Sequence, residues 1–306
     1  MVLASVIIPV YNGKATVVRA VESALTQEFD GSFEVIVVDD GSTDSTAKAL
    51  ERFGERIALV RQSNRGLAAA RNAGAVAARG IYLAFLDADD IWLPAKLAET
   101  VAALEDNRLA VLAYSDVVPT NGDGVALAQP FAPREFNYAP SMIDLLTQWW
   151  PILPSAVVIR RATFEACGGF CTEFRRAYED VDMWLRAREH GDFEYIAKPL
   201  LEYRVTPITE RMQKYEDDYP VFARRVRQRY GSRARALLKS TRHAYVSALG
   251  HRGLVAMRGG DLVVARRAFA RALRYEPLDL KTALRLARSY LPGPIERALT
   301  GRTRAR

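Results

Sequence analysis

Short, apolar, β-branched runs alternate with stretches of helical spacing through the first third of the chain. Ser5-Val6-Ile7-Ile8-Pro9-Val10 and Phe33-Glu34-Val35-Ile36-Val37-Val38 carry little polar alternation, so they read as central strands buried on both faces. Between them, Val17, Val18, Val21, Ala24 and Leu25 make an apolar helical stripe within Ala15 to Gln27. A second helix is expected over Ser45 to Phe53 behind Asp44 as its N-cap, then a strand over Ile57 to Arg61. An alanine-rich helix over Gly66 to Ala78 and a strand over Ile81 to Leu86 continue the alternation. This order predicts an α/β architecture, a mainly parallel sheet between helices, with ligands bound beyond the carboxyl ends of the strands.

The later pattern is less regular. Leu109 to Val118 and Ser155 to Arg160 read as strands, Tyr178 to His190 as a helix, and Glu202 to Val205 as a late edge strand. From about Ile208 the strand signals stop and the chain reads as helical and arginine-rich. Ala234, Leu237, Leu238, Tyr245, Ala248 and Leu249 keep helical spacing there. Gly260-Asp261, Ala265, Phe269, Ala272-Leu273 and Pro277 resemble the second helix of a tetratricopeptide repeat. A single such unit predicts a helical hairpin, because fewer than about three repeats rarely stand alone.

Composition adds a division along the chain. Hydrophobic residues at 49% and charged residues at 26% are ordinary for a soluble globular protein, yet the net charge of +7 is unevenly spread. Residues 1–220 sum to −10, whereas residues 221–306 hold 21 Lys+Arg against 4 Asp+Glu, a net +17. An acidic body with a basic tail implies separate partners for the two. Cys167 and Cys171 have no second pair and no nearby histidine, which argues against zinc and for free thiols. Met1 to Val10 lacks a basic n-region and a cleavage site, and no apolar stretch approaches a bilayer span, so a cytoplasmic location is expected.

The chemistry concentrates at strand ends. Asp87-Ala88-Asp89-Asp90 follows the strand ending at Leu86, and side chains two apart on extended backbone point the same way. Asp87 and Asp89 held that close repel unless a cation lies between them, and hard oxygen ligands suit Mg²⁺ or Mn²⁺ shared with a substrate phosphate. The alternative is that Asp89 or Asp90 caps a following helix with Pro94 in its first turn. No Gly-x₄-Gly-Lys-[Ser/Thr] loop exists to cradle phosphates, which favours a metal for neutralising a diphosphate. Asp39-Asp40 falls at another strand end, so one crevice can hold both acidic clusters.

Five segments in order then match a known pattern. They are Val6 to Asn12; Val37-Val38-Asp39-Asp40-Gly41-Ser42-Thr43-Asp44; Asn64-x-Gly66-x₃-Ala70-Arg71-Asn72-x-Gly74; Asp87 to Asp90; and Gly168-Gly169-Phe170 followed by Glu179 to Arg186. Together they resemble the family 2 glycosyltransferases, inverting enzymes with the GT-A fold, a Rossmann-like mainly parallel sheet between helices. The resemblance covers roughly residues 3 to 206. It implies a GT-A catalytic domain over 1–207, with a nucleotide-binding half over 1–118 and an acceptor half over 119–207. A basic helical extension would then occupy 208–306.

The resemblance also implies roles. Asp40 would accept from a base N–H, which a carboxylate suits because it accepts and does not donate; one of Asp39 and Asp40 would instead build the turn. Pro9, Val10 and Tyr11 would line the base pocket. Arg71 would reach the base or the diphosphate, with an ion pair to a nearby acid as its alternative. Asp87 would contact ribose or share the metal, and Asp89 would ligate Mn²⁺ or Mg²⁺ directly. Asp180 would be the general base, with Glu179 beside it as an acceptor-site candidate. Trp149 and Trp150 lie in the half expected to meet the acceptor, and indole faces suit sugars or a lipid-linked glycan. Many relatives carry a histidine two residues after a Tyr-Arg pair; Thr206 stands there, after Tyr203-Arg204.

Two functions follow. The first is an enzyme that moves one sugar from a nucleotide-diphosphate sugar, a UDP-sugar favoured, to a hydroxyl of a glycan or lipid-linked acceptor. The second is a non-catalytic nucleotide-binding protein that docks through its helical tail. A degenerate binder would lose mutually repelling carboxylates, and Asp40, Asp87, Asp89 and Asp180 are all present, which favours the enzyme. For the tail, a solvated face around a helical core with weak peripheral attachment to anionic lipid ranks first, and nucleic acid ranks last, since few aromatics interleave its arginines.

Overall fold

The computed structural model describes residues 1–121, 124–127, 152–205 and 208–290. The chain divides into two compact units, Met1–Pro207 and Ile208–Arg306.

The first unit runs β1 (Ala4–Val10), α1 (Val17–Leu25), β2 (Phe33–Asp39), α2 (Thr46–Leu50), β3 (Ala58–Arg61), α3 (Leu67–Ala77), β4 (Tyr82–Phe85) and β5 (Ile91–Trp92). It continues with α4 (Lys96–Asp106), β6 (Ala110–Thr120), β7 (Val157–Arg160), α5 (Arg161–Ala166), α6 (Glu179–Ala187) and β8 (Asp192–Arg204). The described strands form one sheet in the order β3-β2-β1-β4-β7-β6-β8-β5. β3, β2, β1 and β4 are parallel neighbours. β7 runs antiparallel to β4 and β6, β6 and β8 are parallel, and β5 closes the sheet antiparallel to β8.

The continuous apolar runs are explained by two cores, one on each face. Val6, Ile8 and Val10 pack with Val17, Val21, Leu97 and Val101 of α1 and α4. Ile7, Ile36, Val38 and Phe85, one residue out of step, pack with α3 and with Met183 and Trp184 of α6. Every position of β1 is therefore buried, as a strand covered on both faces requires. Gly74 lets α3 lie close on the sheet: a Cβ there would sit 2.4 Å from Ile7 Cγ2.

The fold is the mixed, mainly parallel sheet with helices that the sequence predicts, with four local differences. The second helix ends at Leu50 and passes into 3₁₀ turns over Glu51–Arg56, where Gly54 takes φ 51°. The strand expected from Ser155 starts at Val157, after a 3₁₀ turn over Pro154–Ala156. Glu202 to Arg204 is not an edge strand but the end of the thirteen-residue β8, paired along β6, Val205 lies just past it, and β5 is the edge. Two residues of β5 are too few to show a period, and shifts in the β6–β8 register break the alternation that would have marked β8. Finally, Asp89 and Asp90 do not cap a helix containing Pro94, because β5 intervenes and α4 begins at Lys96.

The second unit contains α7 (Ile208–Tyr230), α8 (Ala234–Arg258), α9 (Leu262–Tyr275) and α10 (Leu280–Arg288). The segment with repeat-like spacing is α9, which buries Ala265, Ala268, Phe269 and Ala272. Asp261 caps α9 by accepting from Val264 N, and Asp279 caps α10 by accepting from Lys281 N and Thr282 N. Tyr219 stacks on Tyr245 at 4.3 Å between ring centres, and Tyr275 meets both edge-on. Among the described residues no helix is long and apolar enough to cross a membrane. Cys167 and Cys171 are free thiols.

Candidate active site

The ends of β1 and β2 interlock. Pro9 pairs with Val38 and Val10 with Asp39 in the parallel ladder, which sets the two motif segments side by side. Pro9 and Val10 are buried, and Tyr11, at the strand exit, is 50% exposed. Asn12 takes the left-handed φ of 51°, accepts from Thr43 N at 2.8 Å and Asp44 N at 3.2 Å, and donates its own N–H to Ser42 Oγ. Asp39 Oδ1 accepts from Ser42 N at 2.9 Å, so Asp39 builds this turn. Asp40, buried, accepts from Gln62 Nε2 at 2.7 Å, Arg65 N at 2.9 Å and Gly66 N at 2.8 Å. It thereby fixes the loop leading into α3. A carboxylate has about four acceptor positions, and these bonds occupy three of them.

α3 carries the link to the rest of the site. Arg71 is 1% exposed; Nη2 donates to Asp87 Oδ1 at 2.6 Å and Nη1 to Glu179 Oε1 at 2.8 Å. Burial works against its charge, but Asp87 and Glu179 beside it outweigh that and keep the guanidinium protonated. The ion pair, the alternative role for Arg71, is thus present twice over. Its neighbour Asn72 clasps Phe170, donating to Phe170 O at 2.8 Å and accepting from Phe170 N at 2.9 Å. Gly169 has φ 73°, and a Cβ there would lie 2.7 Å from Asn72 Oδ1, so this turn needs glycine. From the other side Arg186, paired with Asp182 at 2.7 Å, donates to Gly169 O at 2.8 Å.

The candidate base stands at the start of α6. Tyr178, just before the helix, holds a left-handed φ of 69°, a strained conformation for a bulky residue. Glu179 is buried against Arg71, and Asp180 is half-buried. Burial and the adjacent Glu179 carboxylate push Asp180 up to about 7, close to the working range of a general base.

The acidic loop lies at the exit of β4. It closes on itself through Asp90 N donating to Asp87 O at 3.1 Å. Its three acids differ sharply: Asp87 is half-buried on Arg71, Asp89 is exposed, and Asp90 is 2% exposed. Burial, then Asp87 and Asp89, push the Asp90 carboxyl well above the usual carboxylate range. Asp89 and Asp90 also border a cleft with Arg19, Asn121, Glu202 and Arg204. Among the described residues no three His, Cys, Asp or Glu side chains gather to hold a metal. One exposed carboxylate with a second nearby nevertheless fits Mg²⁺ or Mn²⁺, which keeps waters and takes further oxygens from a substrate diphosphate.

Arg71, Asp87, Glu179 and Asp180 are thus brought together, while Asp40 joins them only through α3. Trp149, Trp150 and Thr206 lie outside the described residues. Two participants are not marked as site residues by the sequence, Asn72 as a clasp and Ser155, which meets the acidic loop; Glu179, expected on the acceptor side, pairs with Arg71. Asn72 lies in the same motif as Arg71, but nothing local marks Ser155.

The family model for Glycosyl transferase family 2 matches residues 5–177. EpsE of Bacillus subtilis strain 168 is 30% identical over 229 residues, 72% of this chain and 75% of that protein. WfaP of Escherichia coli, named as a UDP-Glc:alpha-D-GlcNAc-diphosphoundecaprenol beta-1,3-glucosyltransferase, is 35% identical over 140 residues, 45% of this chain and 55% of its own. Among solved structures, S. aureus TarS 1–349 in complex with UDP-GlcNAc superposes with a TM-score of 0.59 at 16% identity, covering 99% of this chain and 93% of that one. The longer TarS structure gives 0.63 over 97% of this chain and 52% of its own. At such identity TarS shows the shared GT-A-like fold alone, but the family model spans more than half the sequence and runs through the interlocked strand ends, α3 and the acidic loop; the chain belongs to glycosyltransferase family 2, enzymes that transfer sugar from a nucleotide sugar.

Proposed function

We propose that this glycosyltransferase moves a single sugar, with inversion, from a UDP-sugar to a hydroxyl of a glycan or lipid-linked glycan. The observation that carries the reading is the Arg71 bridge, which puts the start of α6, with Asp180, beside the acidic loop at the end of β4. This bridge supports a donor site adjacent to the base. TarS structures with UDP and with UDP-GlcNAc, and the activity for which WfaP is named, support a UDP-sugar and a diphosphate-lipid acceptor.

In this reading Tyr11, Pro9 and Val10 flank the base, and Asp40 offers its remaining acceptor position to a base N–H. Asp89, with Asp87 near it, would hold Mn²⁺ or Mg²⁺, which when bound neutralises the diphosphate as the sugar leaves it. Arg71 stays charged and keeps Asp87 and Glu179 in register. Asp180 takes the proton of the acceptor hydroxyl as its oxygen attacks the anomeric carbon opposite the leaving diphosphate. Such a base contributes roughly 10²–10⁴-fold. Trp149 and Trp150 are the aromatic candidates for the acceptor. The basic segment would rest on anionic lipid at the cytoplasmic face, near a lipid-linked acceptor.

The test is turnover. Purified protein with Mn²⁺ should release UDP from a UDP-sugar, faster with acceptor present, and Asp89→Asn should abolish the release. UDP binding without turnover on any donor or acceptor would overturn the proposal.

A further inference from the structure

We infer that Ser155 and Asp90 form a clamp that sets the position of Asp89, making Ser155 a positioning residue for the metal–diphosphate site. The inference rests on the reading of Asp89 as a metal ligand. Ser155 is fully buried in the 3₁₀ turn before β7. Its hydroxyl meets both ends of the acidic loop, accepting from Asp87 N at 3.0 Å and donating to Asp90 Oδ2 at 2.6 Å. The other Asp90 oxygen accepts from Arg204 N at 2.9 Å, which ties the loop to the end of β8. Asp89 lies between the two clamped residues.

The clamp is itself held from behind. Trp92 Nε1 donates to Ser155 O at 2.7 Å, and the buried Lys96 Nζ donates to Ala156 O at 2.6 Å. The turn carrying Ser155 is therefore pinned to β5 and α4 by two buried donors. The turn stands 65 residues from Asp90 in sequence, and the β8 end 114. Removing the hydroxyl leaves Asp87 N and one Asp90 oxygen without this partner in a buried place, so the loop must shift to find others. Groups that orient a metal ligand without touching the metal typically change its affinity by about 10–100-fold.

The experiment compares the full chain with Ser155→Ala, Asp90→Asn and Asp89→Asn. Mn²⁺ is titrated in saturating UDP by calorimetry, and melting is followed without ligand. The clamp predicts that Ser155→Ala weakens Mn²⁺ roughly tenfold or more while still melting cooperatively. Steady-state assays should show a raised KM for the donor with a smaller change in kcat. Asp90→Asn keeps an acceptor for Arg204 N and should weaken Mn²⁺ less. Wild-type Mn²⁺ affinity in folded Ser155→Ala overturns the clamp. If Ser155→Ala does not fold, unchanged affinity in Asp90→Asn overturns it instead. Wild-type protein that binds no Mn²⁺ with UDP overturns the reading of Asp89 as well, which separates the two failures.

Discussion

Arg71 donates to Glu179 at 2.8 Å across 108 positions of sequence. The same guanidinium holds Asp87 at 2.6 Å, so one buried cation joins the exit of β4 to the first turn of α6. Two carboxylates on separate elements would repel if drawn together alone; the shared cation removes that cost. Phe170 lies beneath it, its ring centre 5.3 Å from the guanidinium carbon, and Phe170 is fixed in turn by Asn72. Arg71 thereby ties Glu179, the sequence neighbour of the candidate base Asp180, to the exit of β4.

Arg71→Met should destabilise the first unit by about 3–5 kcal/mol, since it strands two acids beside a buried apolar side chain. Arg71→Lys keeps the charge but not the fork that reaches both acids, and should fall between the two. Chemical denaturation of the three proteins checks this, and transfer should fall in the same order.

Asp180 should set the acidic limb of the pH–rate profile. Its carboxyl, raised to about 7 by burial and by Glu179, must be ionised to take a proton, so kcat should rise with pH through about 7. Glu179→Gln removes the neighbouring negative charge and should move that limb to lower pH. Asp180→Asn should cost roughly 10²–10⁴-fold in kcat while leaving UDP binding intact.

Lys96 provides a test of stability against pH. Burial lowers its ammonium from the ordinary 10.5 to about 7. Between those values the unfolded chain holds a proton that the folded chain has released, so unfolding takes one up and stability rises with pH. Below about 7 the buried amine is charged and the penalty is full. Wild-type stability should therefore climb from pH 7 toward 10, and Lys96→Met should lose that slope. Melting temperatures across the range measure it.

Gly169→Ala should disturb both the fold and activity. The left-handed φ of 73° and the 2.7 Å approach to Asn72 act together, and the conformational part alone costs of order 1–3 kcal/mol. Freed from Phe170, Asn72 would loosen α3 next to Arg71. A larger drop in kcat than in donor affinity would mark that route.

The alternation of strand and helix, the double burial of β1 and β2, and the acids at the ends of β2 and β4 were all legible in the sequence. Each is a local matter: a strand covered on both faces must be apolar throughout, and a carboxylate at its exit follows from position alone. What only tertiary structure decided is the division of labour among those acids. Asp87, Asp89 and Asp90 are near-identical in chemistry and adjacent in sequence, yet one is paired, one is exposed and one is buried. Arg71, the partner of Asp87, stands 16 residues away, and Ser155 and Arg204, both partners of Asp90, stand 65 and 114 residues away. No periodicity encodes such pairings. They arise when packing closes the sheet and leaves each carboxylate whichever donor the neighbouring element presents.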